Sequence, residues 1–350
     1  MKIGLVGLAG SGKSTVFRML TGKEHTGHAG SDLAVVVVPD PRIERLVEIF
    51  QPPKIVQPEV TFVDLLAVHQ GDSSEAEALE LVKVAGDAEA FVLVLQCFGE
   101  LDAAGSPLNP VSDLETVLLE MSLTDLAIVE SRLQRLAKAT RREAHAVWEE
   151  ALLQRAHDHL AQGGAMRELT LAEDEAKYLR GFSLLTMKPW LVALNVAEDD
   201  LAGARAAEAQ ALCEERGLLW VTLCAPLEAE IAQLPPEEQA AFAADYGLTE
   251  PARDRLIRAA YSLLHVITFF TAGPKEVHAW TISAGATAPD AAGKIHTDLE
   301  AGFIRAEVMS FAALDQAGSE KAVKEQGHLR VEGRNYLIAD GDIVFIRFSR

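Results

Sequence analysis

The sequence predicts an α/β protein with a mostly parallel sheet, an inserted helical arm and a separate strand-rich C-terminal domain. Three observations carry that prediction. A short apolar run, Ile3, Leu5 and Val6, leads through Gly7-Leu8-Ala9-Gly10-Ser11-Gly12-Lys13-Ser14 into Val16, Phe17 and Leu20 at helical spacing. Strand and helix patterns then alternate as far as Leu223, interrupted by a long charged helical stretch. After Val266 the texture changes to short strands divided by turn residues.

The first element has the pattern of a phosphate-binding loop between a strand and a helix. Glycines let the backbone curl so that successive N–H groups face phosphate oxygens, and the helix N-terminus adds partial positive charge. Lys13 is placed to reach the β- and γ-phosphates, and Ser14 to offer its hydroxyl to Mg²⁺. The chain is therefore expected to bind a nucleoside triphosphate. Residues 21–34 are polar and Gly-rich, a loop where such proteins keep a first switch. His25 and His28 within it read as solvated loop residues.

Leu33 to Val38 reads as a strand ending at Pro39-Asp40-Pro41. Ile43, Leu46, Val47 and Phe50 then share one helical face. Val60 to Asp64 is an apolar strand ending in a carboxylate, the position of a Mg²⁺-organising aspartate. Ala67 and Val68 stand where a second switch would carry glycine and a water-positioning glutamine. Glu75 to Val84 reads as a helix and Ala90 to Leu95 as a buried strand.

From Asp113 to Lys138 apolar residues recur at three-and-four spacing, and a second charged helix covers about Glu143 to Leu160. Thr170 to Glu173 resembles a capping box opening a third helix that stops before Gly181. Together they predict a coiled-coil-like hairpin. Trp190 to Leu194 is a strand ending in Asn195-Val196-Ala197-Glu198. Leu201 to Arg216 is a helix, and Leu218 to Leu223 a strand followed by Cys224-Ala225-Pro226. In the last domain Glu276 to Ile282, Ile304 to Phe311, Leu329 to Glu332, Tyr336 to Ile338 and Ile343 to Phe348 read as strands. A helix is expected near Pro289 to Leu299.

At 350 residues, 49% hydrophobic and 24% charged, the composition is that of a soluble globular protein. No apolar run approaches the roughly 20 residues of a membrane span, and no signal peptide is read at the N-terminus. Cys97, Cys213 and Cys224 show neither metal spacing nor a disulfide framework, which fits a reducing, cytoplasmic setting. A net charge of −20 is a poor overall footprint for nucleic acid, so any such contact must be local.

The ordered set of Gly-Lys-Ser loop, strand-end Asp and strand-end Asn-x-x-Glu is GTPase-like. With Val38 to Phe50, Asp113 to Val117, Phe269 to Ile282 and His296 to Val308, the chain resembles the Obg-like ATPase (YchF) family over nearly its whole length. The resemblance implies a P-loop G domain (1–112 plus 183–265), a helical coiled-coil insertion (113–182) and a C-terminal β-grasp TGS domain (266–350). It also implies ATP (or GTP) with Mg²⁺ as ligands, no membrane partner, and association with ribosomes or RNA through the TGS domain. Lys13 and Asp64 are the expected catalytic residues, and Ser14 and Asp64 the expected metal ligands. The expected nucleotide contacts are Gly7, Ala9, Gly10, Ser11, Gly12, Lys13, Ser14, Thr15, Asn195, Val196, Glu198, Cys224, Ala225 and Pro226.

Some positions depart from the family pattern. Ala9, Gly10 and Ser11 replace Pro, Asn and Val in the loop, and the asparagine helps hold a potassium ion in related enzymes. Ala67 replaces a second-switch glycine. The stretch Gly99 to Asn109 holds no histidine, although family members carry one there. Guanine readers use Asn-Lys-x-Asp; here Val196 removes the lysine stem and Glu198 adds a methylene. Spacing alone does not choose the base, and the resemblance favours ATP. A slow ATPase (or GTPase) switch and a nucleotide-binding scaffold without hydrolysis both remain.

Residues 266–350 hold nine Lys and Arg against eleven Asp and Glu, so the acidity lies in the rest of the chain. Lys321, Lys324, Arg330 and Arg334 form a local basic cluster, with Arg347 expected nearby through strand pairing. It reads either as mixed-charge surface or as a phosphate-contacting patch.

Overall fold

The computed structural model describes residues 1–22, 33–65, 85–138 and 144–349. The readings made for His25, His28, Ala67, Val68 and the helix Glu75 to Val84 fall outside them.

The chain forms two compact units, one of residues 1–36 and 61–260, the other of residues 37–60 and 261–350. In the first, six strands run in the order β2-β4-β1-β5-β6-β7. They are β1 Lys2–Val6, β2 Leu33–Val37, β4 Glu59–Asp64, β5 Ala90–Cys97, β6 Trp190–Val196 and β7 Leu219–Leu223. The pairs β1·β4, β1·β5, β5·β6 and β6·β7 are parallel. All eight residues of β5 and all seven of β6 are buried, as expected of central strands covered on both faces.

Register sets the site. Leu5 lies opposite Asp64, Gln96 opposite Asn195, and Asn195 opposite Leu223. The carboxyl ends of β1, β4, β5, β6 and β7 therefore converge at one edge, where open α/β sheets bind ligands. Beneath it the core joins Phe91, Leu93, Leu95, Val192, Leu194 and Val196 to Leu114, Val117 and Met121 of the helix Pro110–Lys138. Helix α1, Lys13–Thr21, buries Val16, Phe17, Met19 and Leu20, as its spacing predicted.

The arm consists of the helices Pro110–Lys138, Ala144–Ala161 and Glu173–Leu179, with Val129, Leu152, Leu153, Ala156 and Leu160 at its centre. Its root is tied by Asp125, whose carboxylate accepts Leu185 N–H (2.7 Å), Thr186 N–H (2.8 Å) and Thr186 O–H (2.6 Å). The arm belongs to the same compact unit as the first sheet. The third helix starts later than expected: Ala172 N–H is capped by Glu175 at 2.9 Å, not Thr170 by Glu173.

The second unit has a six-stranded sheet in the order β11-β10-β12-β8-β9-β3. Its strands are β3 Ile55–Val56, β8 Val266–Ala272, β9 Val277–Ser283, β10 Phe303–Ser310, β11 Arg330–Glu332 and β12 Asp342–Phe348. Residues 37–60, expected in the first domain, fold here instead. The apolar face of helix α2, Pro41–Phe50, places Ile43 and Leu46 among Phe270, Val277, Met309 and Ile343, and β3 adds to β9. Arg42 fixes the start of α2 by pairing with Asp40 (2.7 Å) and Asp340 (2.6 Å) over the Phe270 ring.

Tyr336 to Ile338 is not a strand, forming only an isolated bridge between Thr287 and Leu337. The helix expected near Pro289 to Leu299 is two, Ala288–Ile295 and Thr297–Ala301, divided by an extended His296 whose ring accepts Asp298 N–H.

Candidate nucleotide-binding site

Between β1 and α1 the chain must turn tightly, and the glycines allow it. Gly10 (φ 80°) and Gly12 (φ 86°) are left-handed. Space adds a second constraint at Gly12, where a Cβ would stand 2.2 Å from Asn195 Nδ2. At Gly7 a Cβ would lie 2.7 Å from both Ser11 Oγ and the Val94 carbonyl. Ser11 N–H closes the turn on Leu8 O at 3.2 Å, and Val16 N–H takes Gly12 O at 2.9 Å as α1 begins. Ala9 and Gly10 are exposed, as is the Ser14 side chain, while Thr15 is half-buried on α1. No acidic residue occupies the first turn of α1, so no carboxylate of the helix itself competes for its N-terminal amides.

Lys13 reaches across to the end of β4. Its ammonium pairs with the Asp64 carboxylate and donates to Leu65 O at 2.5 Å. Asp64 is 6% exposed, and its buried charge is compensated by this cation. The expected catalytic and metal-organising residues are thus brought together.

Asn195 is the hub of the site. Only 1% exposed, it donates from Nδ2 to Ser11 O (3.0 Å) and accepts Ala225 N–H at Oδ1 (3.1 Å). One side chain at the end of β6 so fixes the loop from β1 and the turn after β7. Cys224 and Ala225 are buried, Pro226 is exposed, and burial pushes the Cys224 thiol up, which keeps it protonated and unreactive. Burial likewise lifts Cys97 to about 12 and Cys213 to about 11.

Glu198 is exposed, and its carboxylate accepts a hydrogen bond from Tyr246 that raises the phenol above its ordinary range. Val196 is different. It is 1% exposed within the sheet core, so its side chain is turned away from any ligand at the rim. Three residues of the site were not singled out from sequence. Gln96 Nε2 donates to Phe98 O and Leu101 O, both at 3.1 Å, shaping the turn after β5. That turn brings the Phe98 ring to 3.7 Å from the Cβ position above Gly12. Tyr246 is the third. A polar residue near the end of an otherwise apolar strand was the available signal for Gln96.

The donors fit Mg²⁺. This ion is held by one or two carboxylates together with substrate phosphates and water, and Ser14 and Asp64 flank the loop in that sense. Among the described residues no group of three or more His, Cys, Asp or Glu could form an all-protein metal cage.

Parallel strand order, glycine loop, Lys13 and the Asn195 hub define a P-loop α/β protein of the G-domain class with a mixed-sheet C-terminal domain. Residues 266–349 match the YchF-GTPase_C family model, described as "Protein of unknown function (DUF933)". A Haemophilus ducreyi protein named Ribosome-binding ATPase YchF is 38% identical over 99% of both chains. A Bacillus subtilis protein of the same name is 35% identical over 99% of this chain and 98% of its own. The solved Schizosaccharomyces pombe YchF GTPase superposes with a TM-score of 0.85 at 26% identity, covering 99% of this chain and 97% of that one. The chain belongs to the YchF family.

Proposed function

We propose that this chain binds ATP, or GTP, at the Gly7–Thr15 loop with Mg²⁺, hydrolyses it slowly, and acts as a ribosome-associated regulatory switch. The observation that carries the reading is the Asn195 bridge, which holds the phosphate loop and the turn after β7 as one rigid edge. Backbone amides of the loop and the α1 N-terminus would take the phosphates. Lys13 exchanges its contacts with Asp64 and Leu65 O for phosphate oxygens, leaving the Asp64 carboxylate to the metal side of the site. Ser14 and Asp64 would hold Mg²⁺, which would supply charge neutralisation to the phosphates. The bacterial relatives named ATPases favour adenine, and the absence of a lysine side chain after Asn195 removes one element of guanine reading.

A second reading, a nucleotide-bound scaffold without turnover, has its own support. The loop Gly99 to Asn109 has no histidine, and Asp102 folds it by accepting Ala104 N–H (2.9 Å) and Ser106 N–H (2.8 Å). No histidine from this loop is available to orient water. Turnover measured with and without ribosomes separates the two. Ribosome-stimulated phosphate release supports the switch, and nucleotide binding with no release in either condition supports the scaffold.

For the partner surface we propose the C-terminal unit, on a narrower patch than its sequence implied. Arg330 is committed to Asp342, Glu332 and Tyr336, Arg347 to Glu307, and Arg334 to Phe303 O. Lys321 pairs only loosely with Glu325 at 3.8 Å and is 86% exposed, so Lys321 and Lys324 are the cations best placed for phosphate contact.

A further inference from the structure

Lys13 opens helix α1, directly after the loop that follows β1, yet its ammonium is spent at the end of the neighbouring strand β4. There it pairs with the Asp64 carboxylate and donates to Leu65 O at 2.5 Å. The pair is buried, with the Asp64 side chain 1% exposed and that of Lys13 13%. Strand pairing holds the carboxylate in place, because Asp64 lies opposite Leu5 and Leu65 N–H donates to Leu5 O at 3.1 Å. Lys13 is the movable member, its charge carried on a flexible four-carbon stem.

Withdrawing one member of a buried ion pair is strongly unfavourable. A phosphate arriving alone must draw Lys13 away from Asp64, and a cation arriving alone must displace Lys13 from it. Arriving together, each compensates the charge that the other leaves behind. The two ligands are then bound cooperatively, and the coupling is reciprocal.

We infer that the Lys13–Asp64 pair is an autoinhibitory latch, which holds Lys13 away from phosphate until a divalent cation takes its place on Asp64. The inference rests on the nucleotide-site reading above and adds the regulation of that site. Asp64 opposes triphosphate binding when no divalent cation accompanies the nucleotide and favours it when one does. A plainer view makes Asp64 only a negative charge that repels phosphates while Lys13 screens it. The two differ in sign. Under the latch, neutralising Asp64 frees Lys13, which then contributes more to binding. Under repulsion alone, neutralising Asp64 removes what Lys13 screens, and Lys13 then contributes less.

The test titrates the full chain calorimetrically with ATP in EDTA, as wild type, Asp64→Asn, Lys13→Ala and the double variant. Asp64→Asn should bind ATP roughly tenfold or more tightly than wild type, the worth of one charge-assisted contact regained. Lys13→Ala should cost roughly tenfold or more in the Asp64→Asn background and distinctly less in wild type, a coupling that the double-mutant cycle reads directly. With Mg²⁺ in place of EDTA, Asp64→Asn should lose its advantage. Asp64→Ser, a second way of removing the charge, should repeat the gain in EDTA, and the thermal transition of each variant verifies that it is folded. No gain with either replacement overturns the latch, as does a coupling of zero or of the opposite sign. Wild type that binds ATP neither in EDTA nor with Mg²⁺ overturns the nucleotide-site reading and the latch with it, a result distinct from the others.

Discussion

Asn195 Nδ2 holds the Ser11 carbonyl at 3.0 Å while the same side chain accepts Ala225 N–H at 3.1 Å. Removing that amide strands a buried acceptor and a buried donor together. Asn195→Ala should therefore cost on the order of 2–4 kcal/mol of stability and weaken nucleotide binding. Urea denaturation alongside a nucleotide titration measures both. A variant of wild-type stability would show that the bridge does not hold the loop.

Gly12 and Asn195 should be energetically coupled. Gly12→Ala places a methyl 2.2 Å from Asn195 Nδ2 and also strains a φ of 86°. Asn195→Ala clears the space but leaves the strain. The double variant should lose less stability than the sum of the singles, by about 1 kcal/mol or more. Strict additivity in a double-mutant cycle would mean that only the backbone angle matters at Gly12.

The acidity of the arm root is the third expectation. Burial outweighs three hydrogen bonds and raises the Asp125 carboxyl to about 6, above its ordinary unfolded value near 3.9. The folded state then binds more protons than the unfolded state between those values. The contribution of Asp125 to stability is full below about pH 4 and declines as pH rises through about 6. Asp125→Asn should flatten that decline in denaturation midpoints measured from pH 4 to 7. An unchanged slope would assign the pH dependence elsewhere.

How much of this was legible in sequence depended on whether the signal was local. The loop Gly7 to Ser14, the strand ending at Asp64 and the arm helices carry their pattern within a few residues, and each formed within a residue or a turn of its expected place. The strand β8 was missed because Val266 to Ala272 reads as part of a run, not an alternation. Residues 37–60 were placed in the wrong unit for a different reason. An amphipathic face says that a helix buries Ile43 and Leu46, but not against which sheet. Val196 illustrates the same gap. Its position two residues before Glu198 implied a contact with the base, whereas strand register sends it into the core.

Basic residues of the C-terminal unit should separate into two kinds. Arg330→Glu sets a carboxylate against Asp342, which is buried and already bonded to Tyr336, and should cost about 2 kcal/mol or more. Lys321→Glu with Lys324→Glu should leave stability within about 0.5 kcal/mol. If this unit meets ribosomal phosphates, the lysine pair variant should pellet less with ribosomes at low salt. Wild-type pelleting by that variant would move the contact to another surface.

The central claim is the nucleotide site itself, and Lys13 tests it most directly. Its ammonium, now held by Asp64 and Leu65 O, is the cation proposed to exchange these contacts for phosphate oxygens. Calorimetric titration of Lys13→Ala with ATP and with GTP, each with Mg²⁺, should show affinity at least about tenfold below wild type. Wild-type affinity for both nucleotides in that variant would contradict the account.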